Sequence, residues 1–566
     1  MTFAATLTGG RSQSGVGAND GWCRAWTSTM ACNNRLFQSA RTWRYAQFPA
    51  LTSAFVPQGI GGMPSYDSNG YHTEDIPIVR GPNTYAPFVA PLEAMPYAPA
   101  GTYKLRWDGS GNVRVRLDGN APVASTSGAI DVVVATAGTH TIQVMILSSS
   151  AANRVRNMRL YMPGQDTDPS FWHPAYKQAL KGRSVFRAMT LEQTNGTSSP
   201  FTATPSDTAA YQWARRVQPG YYTQVAEESG GIALEHVIEL ANEIGIDPYT
   251  NYSHLNGDPT LSDWIPNEMA LEQATLNKNR VSRKELSNEI WNTSAGNQHS
   301  YYRQLGADLG LNLVGYNPGP MTDPGAAFAT AIKCYARNVA LMSAAIRDAI
   351  GNRATARPRV KIVLGSMAAA GYGATYPTFT GDVTRRLLES LENPAINPRY
   401  GATYGTLARH FVDEVAIAPY YGRSVLAQLN TNSATDINTL MPMLISDAYN
   451  DTFQYTRNNV YWANLYGLPV VCYEAGANFF GQPTAVNARF PDMRHDSRME
   501  TAQAEMFRGY WAGGGAPPIV TLGFWDAGGQ NGWGGEMESG LVDAYATYPT
   551  WRANVKEIRR RLAGGR

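Results

Sequence analysis

The chain is organised around one stretch, Leu286-Ser-Asn-Glu-Ile-Trp-Asn292. It follows the charged but strand-compatible run 280–285 and precedes a polar segment that leads into a helix. An Asn-Glu pair at the end of a strand, Asn288-Glu289, indicates a carboxyl group presented at the mouth of a barrel. Such a group requires a second carboxylate about three strands later. The stretch Val470–Gly476, which contains Glu474, supplies it.

The chain around these two glutamates alternates between strand and helix patterns. Each strand candidate is followed by a helix candidate, which favours a (β/α)8 barrel of the α/β class. A doubly wound open sheet is the competing architecture, but no Gly-rich dinucleotide turn follows the first strand candidate. The strand candidates are 184–191, 221–226, 247–252, a run from about 280 to 289, 359–365, 412–419, 469–473 and 518–525.

The amino-terminal part has a different pattern. Residues 1 to about 60 are rich in Gly, Ser and Asn, which predicts loops with at most a short helix at 34–44. Short runs that mostly alternate apolar and polar residues follow from about residue 96, and this spacing predicts a β-sandwich. We therefore assign residues 1–165 to a loop-rich and β-sandwich domain that precedes the barrel, and 166–566 to the barrel. The short runs are 101–107, 112–118, 129–135, 139–146 and 154–161.

The placement of Asn288-Glu289 and Glu474 resembles clan A of the glycoside hydrolases, which are retaining enzymes on (β/α)8 barrels. In that family an acid/base Glu follows an Asn at the end of strand four, and a nucleophilic Glu ends strand seven. The resemblance covers roughly residues 180–566 and implies that Glu289 is the acid/base and Glu474 the nucleophile. The family also carries an arginine near the end of strand two, for which the sequence offers no clear candidate.

The resemblance also implies roles for other strand-end residues. Asn288 would contact the sugar 2-hydroxyl, Tyr420 or Tyr421 would hold the nucleophile, and Trp525 would form the floor under the sugar. More narrowly, the motifs at 240–245 and 287–292 and the sandwich before them resemble bacterial proteins described as cellulose-binding or carbohydrate-active.

Acetal cleavage explains why such a site needs two carboxyl groups. One carboxylic acid protonates the leaving oxygen while a carboxylate attacks the anomeric carbon. In retaining enzymes the two carboxyl groups lie about 5–5.5 Å apart. The acid needs a raised pKa, which burial beside a second carboxylate supplies.

Several other residues are candidates of lower rank. His254 is expected to orient a loop or line the site, and Glu192 and Glu228 are possible substrate-binding carboxylates. Trp533, in a Gly-rich segment, either serves as a sugar platform or pins its loop. The two other Asn-Glu pairs, 242–243 and 267–268, fall in helical patterns and are expected to be surface or capping residues.

Composition excludes several classes of function. The 566 residues carry 47 Lys and Arg against 45 Asp and Glu, so no basic field predicts nucleic-acid binding. No apolar run approaches the roughly 20 residues that span a bilayer. Aromatic residues make up 11% of the chain, which suits sugar-binding surfaces but equally suits the cores of large β-rich proteins.

The four cysteines are not spaced along the sequence as metal ligands are, and we predict neither a metal nor a cofactor. Cys23 and Cys32 are close enough in sequence to pair, whereas Cys334 and Cys472 are expected to be buried thiols. The first ten residues lack a basic region and a long apolar run, so no signal peptide is expected. Export, if it occurs, uses another route, or the chain begins after its signal.

The leading hypothesis is therefore a retaining hydrolase of a polysaccharide or oligosaccharide, located outside the cell, on its surface or on a virion. The alternative is a non-catalytic carbohydrate-binding or adhesion protein that keeps the barrel as a scaffold. One version of it is a component of a virion or of a larger surface assembly.

Overall fold

The computed structural model describes most of the barrel and much of the amino-terminal sheets. The described residues are 14–20, 43–47, 67, 69, 71–76, 78–80, 83–89, 95–167, 170–172, 174–192, 194–195, 212–221, 224, 231–292, 298–351, 359–369, 382–478, 489–523 and 549–564. Cys23 and Cys32 lie outside them, whereas Cys334 and Cys472 are buried free thiols. No helix within these ranges is both long and apolar enough to cross a bilayer.

Eight parallel strands close into a barrel. The first strand pairs with both the second and the eighth, which closes the sheet. The strands are Val16–Asp20, Val185–Arg187, Asp247–Tyr252, Ser282–Leu286, Val360–Gly365, Glu414–Ile417, Val470–Cys472 and Ile519–Gly523.

Helices follow the strands and cover the outside of the barrel. In helix Pro324–Ala349 the Asp323 side chain caps the start by accepting the N–H groups of Gly325 and Ala326. Its buried Ile332 packs in one hydrophobic cluster with strand five. The α-helices are Pro174–Leu180, Leu234–Ile244, Trp264–Thr275, Gln298–Asp308, Pro324–Ala349, Asp382–Leu391, Arg423–Thr431, Ile437–Leu465, Phe490–His495, Met499–Ala512 and Pro549–Leu562, with 3₁₀ turns at Ala151–Asn153, Trp213–Arg215, Leu311–Leu313 and Ala408–His410.

Antiparallel sheets lie between the first and second barrel strands in chain order. Buried residues of the two larger sheets, such as Val115 and Leu105, belong to one hydrophobic cluster. The larger sheet contains, in spatial order, Trp43–Gln47, Asn83–Val89, Ile142–Ser149, Gly111–Leu117 and Val123–Ser125, with Ile78–Arg80 paired to Asn83–Val89. The others are Arg156–Tyr161, Gly101–Asp108 and Ala129–Val134, and the pair Met95–Ala98 and Gly138–His140.

The prediction of the first two barrel strands is wrong. Val185–Arg187 is the second strand, and it pairs directly with Asp247–Tyr252, so the range 221–226 is not the second barrel strand. Of that range the structure describes residues 221 and 224. The first strand is Val16–Asp20, in a region that we predicted to consist of loops. Its sequence, Val-Gly-Ala-Asn-Asp, has neither a long apolar run nor alternation, so its strand conformation depends on its two neighbours. Glu289 and Glu474 still follow strands four and seven, because one false and one missed strand cancel in the count.

The antiparallel sheets therefore do not precede the barrel, because its first strand comes before them in the chain. Apart from Val16–Asp20, the division of the chain at residue 165 stays a prediction.

Strand four is entirely buried although three of its five residues are charged. Arg283 reaches across the barrel interior to Glu414 on strand six, with N···O distances of 2.9 and 3.2 Å. Lys284 points the other way, toward helix Trp264–Thr275, and bonds Glu268 and Glu272. Burial would raise the pKa of Glu414, but Arg283 and Lys361 bring it below its ordinary value.

The burial of Glu268 corrects a prediction. Asn267-Glu268 was expected to be a surface or capping pair, yet Glu268 is only 2% exposed because its carboxylate pairs with Lys284.

We expect Lys284→Met to lower the free energy of unfolding by about 3–5 kcal/mol, because it leaves two buried carboxylates without their cation. The matched control is Arg508→Met, whose guanidinium is 66% exposed beside Glu505 and whose loss should cost less than about 1 kcal/mol. Denaturant unfolding of both variants measures the difference. Equal effects would contradict a structural role for the Lys284 cluster.

Candidate active site

The chain turns sharply where strand four ends. Ser287 (φ 60°) and Glu289 (φ 44°) both adopt left-handed backbone conformations, which are uncommon for residues other than glycine. Such strained positions concentrate at functional sites and are held by their surroundings. Here the Ser287 N–H donates to the carbonyl of Tyr252 at 2.7 Å, and the Asn292 N–H donates to the carbonyl of Glu289 at 2.7 Å.

The Glu289 carboxyl receives two neutral donors. The Tyr473 hydroxyl donates to Oε1 at 3.0 Å, and the Asn292 amide donates to Oε2 at 3.2 Å. Tyr473 directly follows strand seven, so this hydrogen bond links the ends of strands four and seven.

The Glu474 carboxyl receives a cation and a hydroxyl. Arg187 Nη1 lies 2.7 Å from Oε1, and the Tyr420 hydroxyl donates to Oε2. Glu474 is 2% exposed and Arg187 is fully buried, so water screens this ion pair little. Arg187, on strand two, also donates from Nη2 to Glu285 at 2.9 Å and to Asn288 Oδ1 at 2.9 Å.

A chain of side-chain amides extends from Arg187 along one wall of the site. Arg187 donates to the Asn288 oxygen, so Asn288 Nδ2 is the atom that donates to Asn195 Oδ1, at 3.2 Å. Gln298 Nε2 donates to the same Asn195 oxygen at 3.0 Å and to the Thr194 carbonyl at 3.3 Å. The orientation of these amides is therefore fixed from both ends.

The two carboxyl groups of the site both have raised pKa values, although Glu474 is buried and Glu289 is only partly buried. Burial raises the pKa of Glu474 to about 7, with the charge of Glu289 adding to the rise and Arg187 opposing it. Burial likewise raises the pKa of Glu289, against the hydrogen bonds from Asn292 and Tyr473. Because the two carboxyl groups interact, the pair loses its protons in two steps, and neither apparent pKa belongs to one glutamate alone. Both glutamates therefore hold a proton to higher pH than an exposed glutamate does.

Not every residue predicted for the site contacts this pair. Tyr421 lies in a separate hydrophobic cluster, where its hydroxyl donates to Gln503 at 3.2 Å. His254 is buried against Tyr301, with ring centroids 4.7 Å apart, and burial lowers its pKa to about 4. Glu192 accepts the backbone N–H of Asn251 at 2.6 Å.

Three further candidates, Trp525, Trp533 and Glu228, lie outside the described residues. Within the described ranges, no three His, Cys, Asp or Glu side chains are placed to hold a metal ion.

Arg187 and Tyr473 are not among the residues that the sequence predicts for the site. Without Val16–Asp20 the strand count puts Arg187 on strand one, so it does not stand on strand two, where the resemblance expects an arginine. The signal was present, since an arginine between Phe186 and Ala188 interrupts an apolar strand and requires a buried anion.

No family model and no curated protein match this chain. Among solved structures, the GH51 arabinofuranosidase from Xanthomonas axonopodis pv. citri is 11% identical, with a TM-score of 0.36 over 69% of this chain and 67% of that one. The Clostridium thermocellum xylanase 10B fragment with CBM22-1 and GH10 modules is 11% identical, with a TM-score of 0.33 over 86% and 93%. A modular endo-β-1,4-mannanase of family 26 from Cellulomonas fimi is 12% identical, with a TM-score of 0.30 over 65% and 64%.

These similar structures are clan A glycoside hydrolases. Their identities and TM-scores are too low to carry a functional argument, which depends instead on the geometry of the site.

Proposed function

We propose that this protein is a retaining glycoside hydrolase in which Glu289 is the acid/base and Glu474 is the nucleophile. The observation that carries the proposal is the placement of two carboxyl groups at the ends of strands four and seven. Glu474 is buried against Arg187 and Tyr420, and the partly buried Glu289 accepts a hydrogen bond from Tyr473. The raised pKa values of both carboxyl groups favour retention of a proton by the pair, and double displacement requires one protonated and one ionised carboxyl group.

We assign the proton of the singly protonated pair to Glu289, although burial raises the pKa of Glu474 as well, because the two groups titrate together and their contacts decide which one holds the proton. Arg187 touches Glu474 and stabilises its carboxylate, whereas Glu289 receives hydrogen bonds from neutral groups. Tyr420 donates a second hydrogen bond to Glu474, which supports the same arrangement.

In the first step Glu289 donates its proton to the glycosidic oxygen, and the bond from that oxygen to the anomeric carbon breaks. A Glu474 oxygen forms the new bond to the anomeric carbon, which gives a glycosyl ester. In the second step Glu289 takes a proton from water, the water oxygen attacks the anomeric carbon, and the ester bond to Glu474 breaks. The site thereby returns to its starting protonation state with net retention of configuration.

The proposed substrate is a polysaccharide or oligosaccharide. Asn288 remains the candidate for the sugar 2-hydroxyl, because its Nδ2 group has a second hydrogen besides the one donated to Asn195. Trp525 remains the proposed floor under the sugar and Trp533 a proposed sugar platform. His254 remains a proposed lining residue and Glu192 a proposed substrate-binding carboxylate.

The proposal extends to the antiparallel sheets and to location. We propose that these sheets form a β-sandwich, which the hydrophobic cluster shared by their buried faces supports. An extracellular, cell-surface or virion location suits an enzyme with such a substrate.

A panel of polysaccharides tests the function. Cellulose, xylan, mannan, arabinan and mixed-linkage glucan are incubated with the protein, and released reducing ends are measured. Proton NMR at early times then identifies the anomer of the product. Release of a product with retained configuration supports the proposal, and an inverted product contradicts the assignment of Glu474. Binding without any product supports a carbohydrate-binding protein instead.

The pH dependence provides a second test. Because burial raises the pKa of Glu289, kcat/KM should fall at high pH, where Glu289 has lost its proton and can no longer donate it. It should also fall at low pH, where Glu474 is protonated and cannot attack. Measuring kcat/KM from about pH 4 to 9 checks this bell shape. A profile that stays flat to about pH 9 would contradict the assignment of Glu289 as the proton donor.

A further inference from the structure

A third carboxylate, Glu285, lies beneath the pair inside the barrel. It is 1% exposed, and three donors converge on its Oε2 atom. These are Arg187 Nη2 at 2.9 Å, the Tyr249 hydroxyl at 2.9 Å and Asn251 Nδ2 at 2.8 Å. The reaction described above does not use this group, because it contacts neither Glu289 nor Glu474 directly in the described hydrogen bonds.

The barrel leaves space for this carboxylate at one position on strand five. A Cβ atom at Gly365 would lie 2.4 Å from Glu285 Oε1 and 3.3 Å from the Tyr335 hydroxyl. The backbone of Gly365 needs no left-handed conformation, since this residue is absent from the positive-φ glycines of the described chain. The glycine is therefore explained by the room that Glu285 needs.

Arg187 lies between two carboxylates. Its Nη1 atom bonds Glu474 and its Nη2 atom bonds Glu285, so the two ends of the guanidinium are held separately. A planar guanidinium held at both ends has one orientation, which places its Nη1 against Glu474.

We propose that Glu285 is a positioning residue of the catalytic site, which holds Arg187 against Glu474 and divides its positive charge between two carboxylates. This inference rests on the proposed function, because it concerns the same pair of catalytic carboxyl groups. It assigns Glu285 no contact with the substrate.

The divided charge has a consequence for the pH range of activity. The charge of Glu285 contributes to the raised pKa of both Glu474 and Glu289. The other charged or titratable groups that interact with Glu285 are Arg187, Tyr249, Tyr335 and Tyr473. Among the described residues, Arg187 is the cation in contact with Glu285. Removing the negative charge of Glu285 therefore leaves more of the positive charge of Arg187 to stabilise the Glu474 carboxylate.

Glu285→Gln separates charge from hydrogen bonding. All three donors meet at Oε2, so a glutamine oxygen there accepts the same three hydrogen bonds while its amide occupies the Oε1 position. We expect both limbs of the profile of kcat/KM against pH to move down by about one pH unit, the low end of the effect of a nearby charge. An unmoved profile would overturn the charge role.

Two further variants test the positioning role. Glu285→Ala removes the anchor of Arg187 and should lower kcat by roughly 10²-fold, the cost of a misplaced catalytic group. Gly365→Ala keeps the charge but displaces the carboxylate, so it should lower kcat and leave the pH limbs near those of the wild type. Full activity in both variants would overturn the positioning role.

Glu414→Gln is the matched control. It removes a buried carboxylate from the same barrel interior, where its partners are Arg283 and Lys361 rather than Arg187. It should lower stability while leaving the pH limbs unchanged. A shift equal to that of Glu285→Gln would show a general effect of barrel charge and overturn the inference.

Infrared difference spectroscopy distinguishes failure of this inference from failure of the proposed function. The carboxyl band that disappears in Glu474→Gln is followed against pH in the wild type and in Glu285→Gln, without substrate. A downward shift of its midpoint supports the inference even if no glycan is cleaved. An unmoved midpoint overturns it even if glycans are cleaved.

Discussion

Glu474→Gln is expected to lower kcat on the order of 10⁴–10⁶-fold for the best substrate of the polysaccharide panel. The amide is close in shape to the carboxylate but cannot form the glycosyl ester, so the two-step route is lost. Steady-state rates of purified wild type and variant, with folding checked by circular dichroism, measure the effect. A variant that retains most of the wild-type rate would refute the assignment of Glu474.

Chemical rescue makes the assignment of Glu474 sharper. In Glu474→Ala the space left by the carboxylate admits a small anion, and added azide should restore part of the rate on an activated aryl glycoside. Azide would attack the anomeric carbon directly from the side of the missing carboxylate, so the glycosyl azide should have inverted configuration. A glycosyl azide of retained configuration would assign Glu474 another role.

Glu289→Gln should lower kcat roughly 10²–10⁴-fold on natural glycans, because protonation of the leaving oxygen is lost. On aryl glycosides with acidic phenols the first step needs little protonation, so the loss there should be much smaller. The high-pH limb of the profile should also disappear, since the amide side chain of this variant has no acidic proton to lose. A uniform loss across leaving groups would contradict the acid role.

In Glu289→Ala azide should act on the glycosyl ester instead of on the substrate. The product should then be a glycosyl azide of retained configuration, opposite to that expected from Glu474→Ala. The pair of outcomes distinguishes acid/base from nucleophile without knowledge of the natural sugar.

Glu243→Gln is a matched control for both substitutions. Asn242-Glu243 has the same dipeptide sequence as Asn288-Glu289, but it lies on helix Leu234–Ile244, where Glu243 bonds Lys177 and Ser170. Its replacement should change kcat less than about twofold, since it is remote from the barrel mouth. A loss as large as that of Glu289→Gln would indicate that the assay reports stability.

The two glutamates could be predicted from the sequence because each follows a strand with a local signal. Val470–Cys472 is a short apolar run, and the dipeptide Asn288-Glu289 ends a strand-compatible stretch. The chain order of these strands was enough to place both carboxyls at one barrel mouth, since parallel strands end on the same side.

The surroundings of the pair could not be predicted in the same way. Val16–Asp20 has no strand pattern of its own, and it is a strand because it completes the hydrogen bonding of two neighbours. Without that strand, Arg187 was assigned to the wrong barrel position. The buried charges Arg283 and Glu285 present a related difficulty, because a charged run suggests exposure unless its partners on other strands are known.

The pairing of Val16–Asp20 with Ile519–Gly523 also affects how the protein folds during synthesis. Val16 lies opposite Ile519, 503 positions later in the chain. At about 5–20 residues per second, a ribosome needs on the order of 25–100 s to make the partner of the first strand. Throughout that time one edge of strand one has no partner, although its other edge can already pair with Val185–Arg187. Closure of the barrel is therefore a late, long-range event, and folding should be slow and sensitive to aggregation through that open edge.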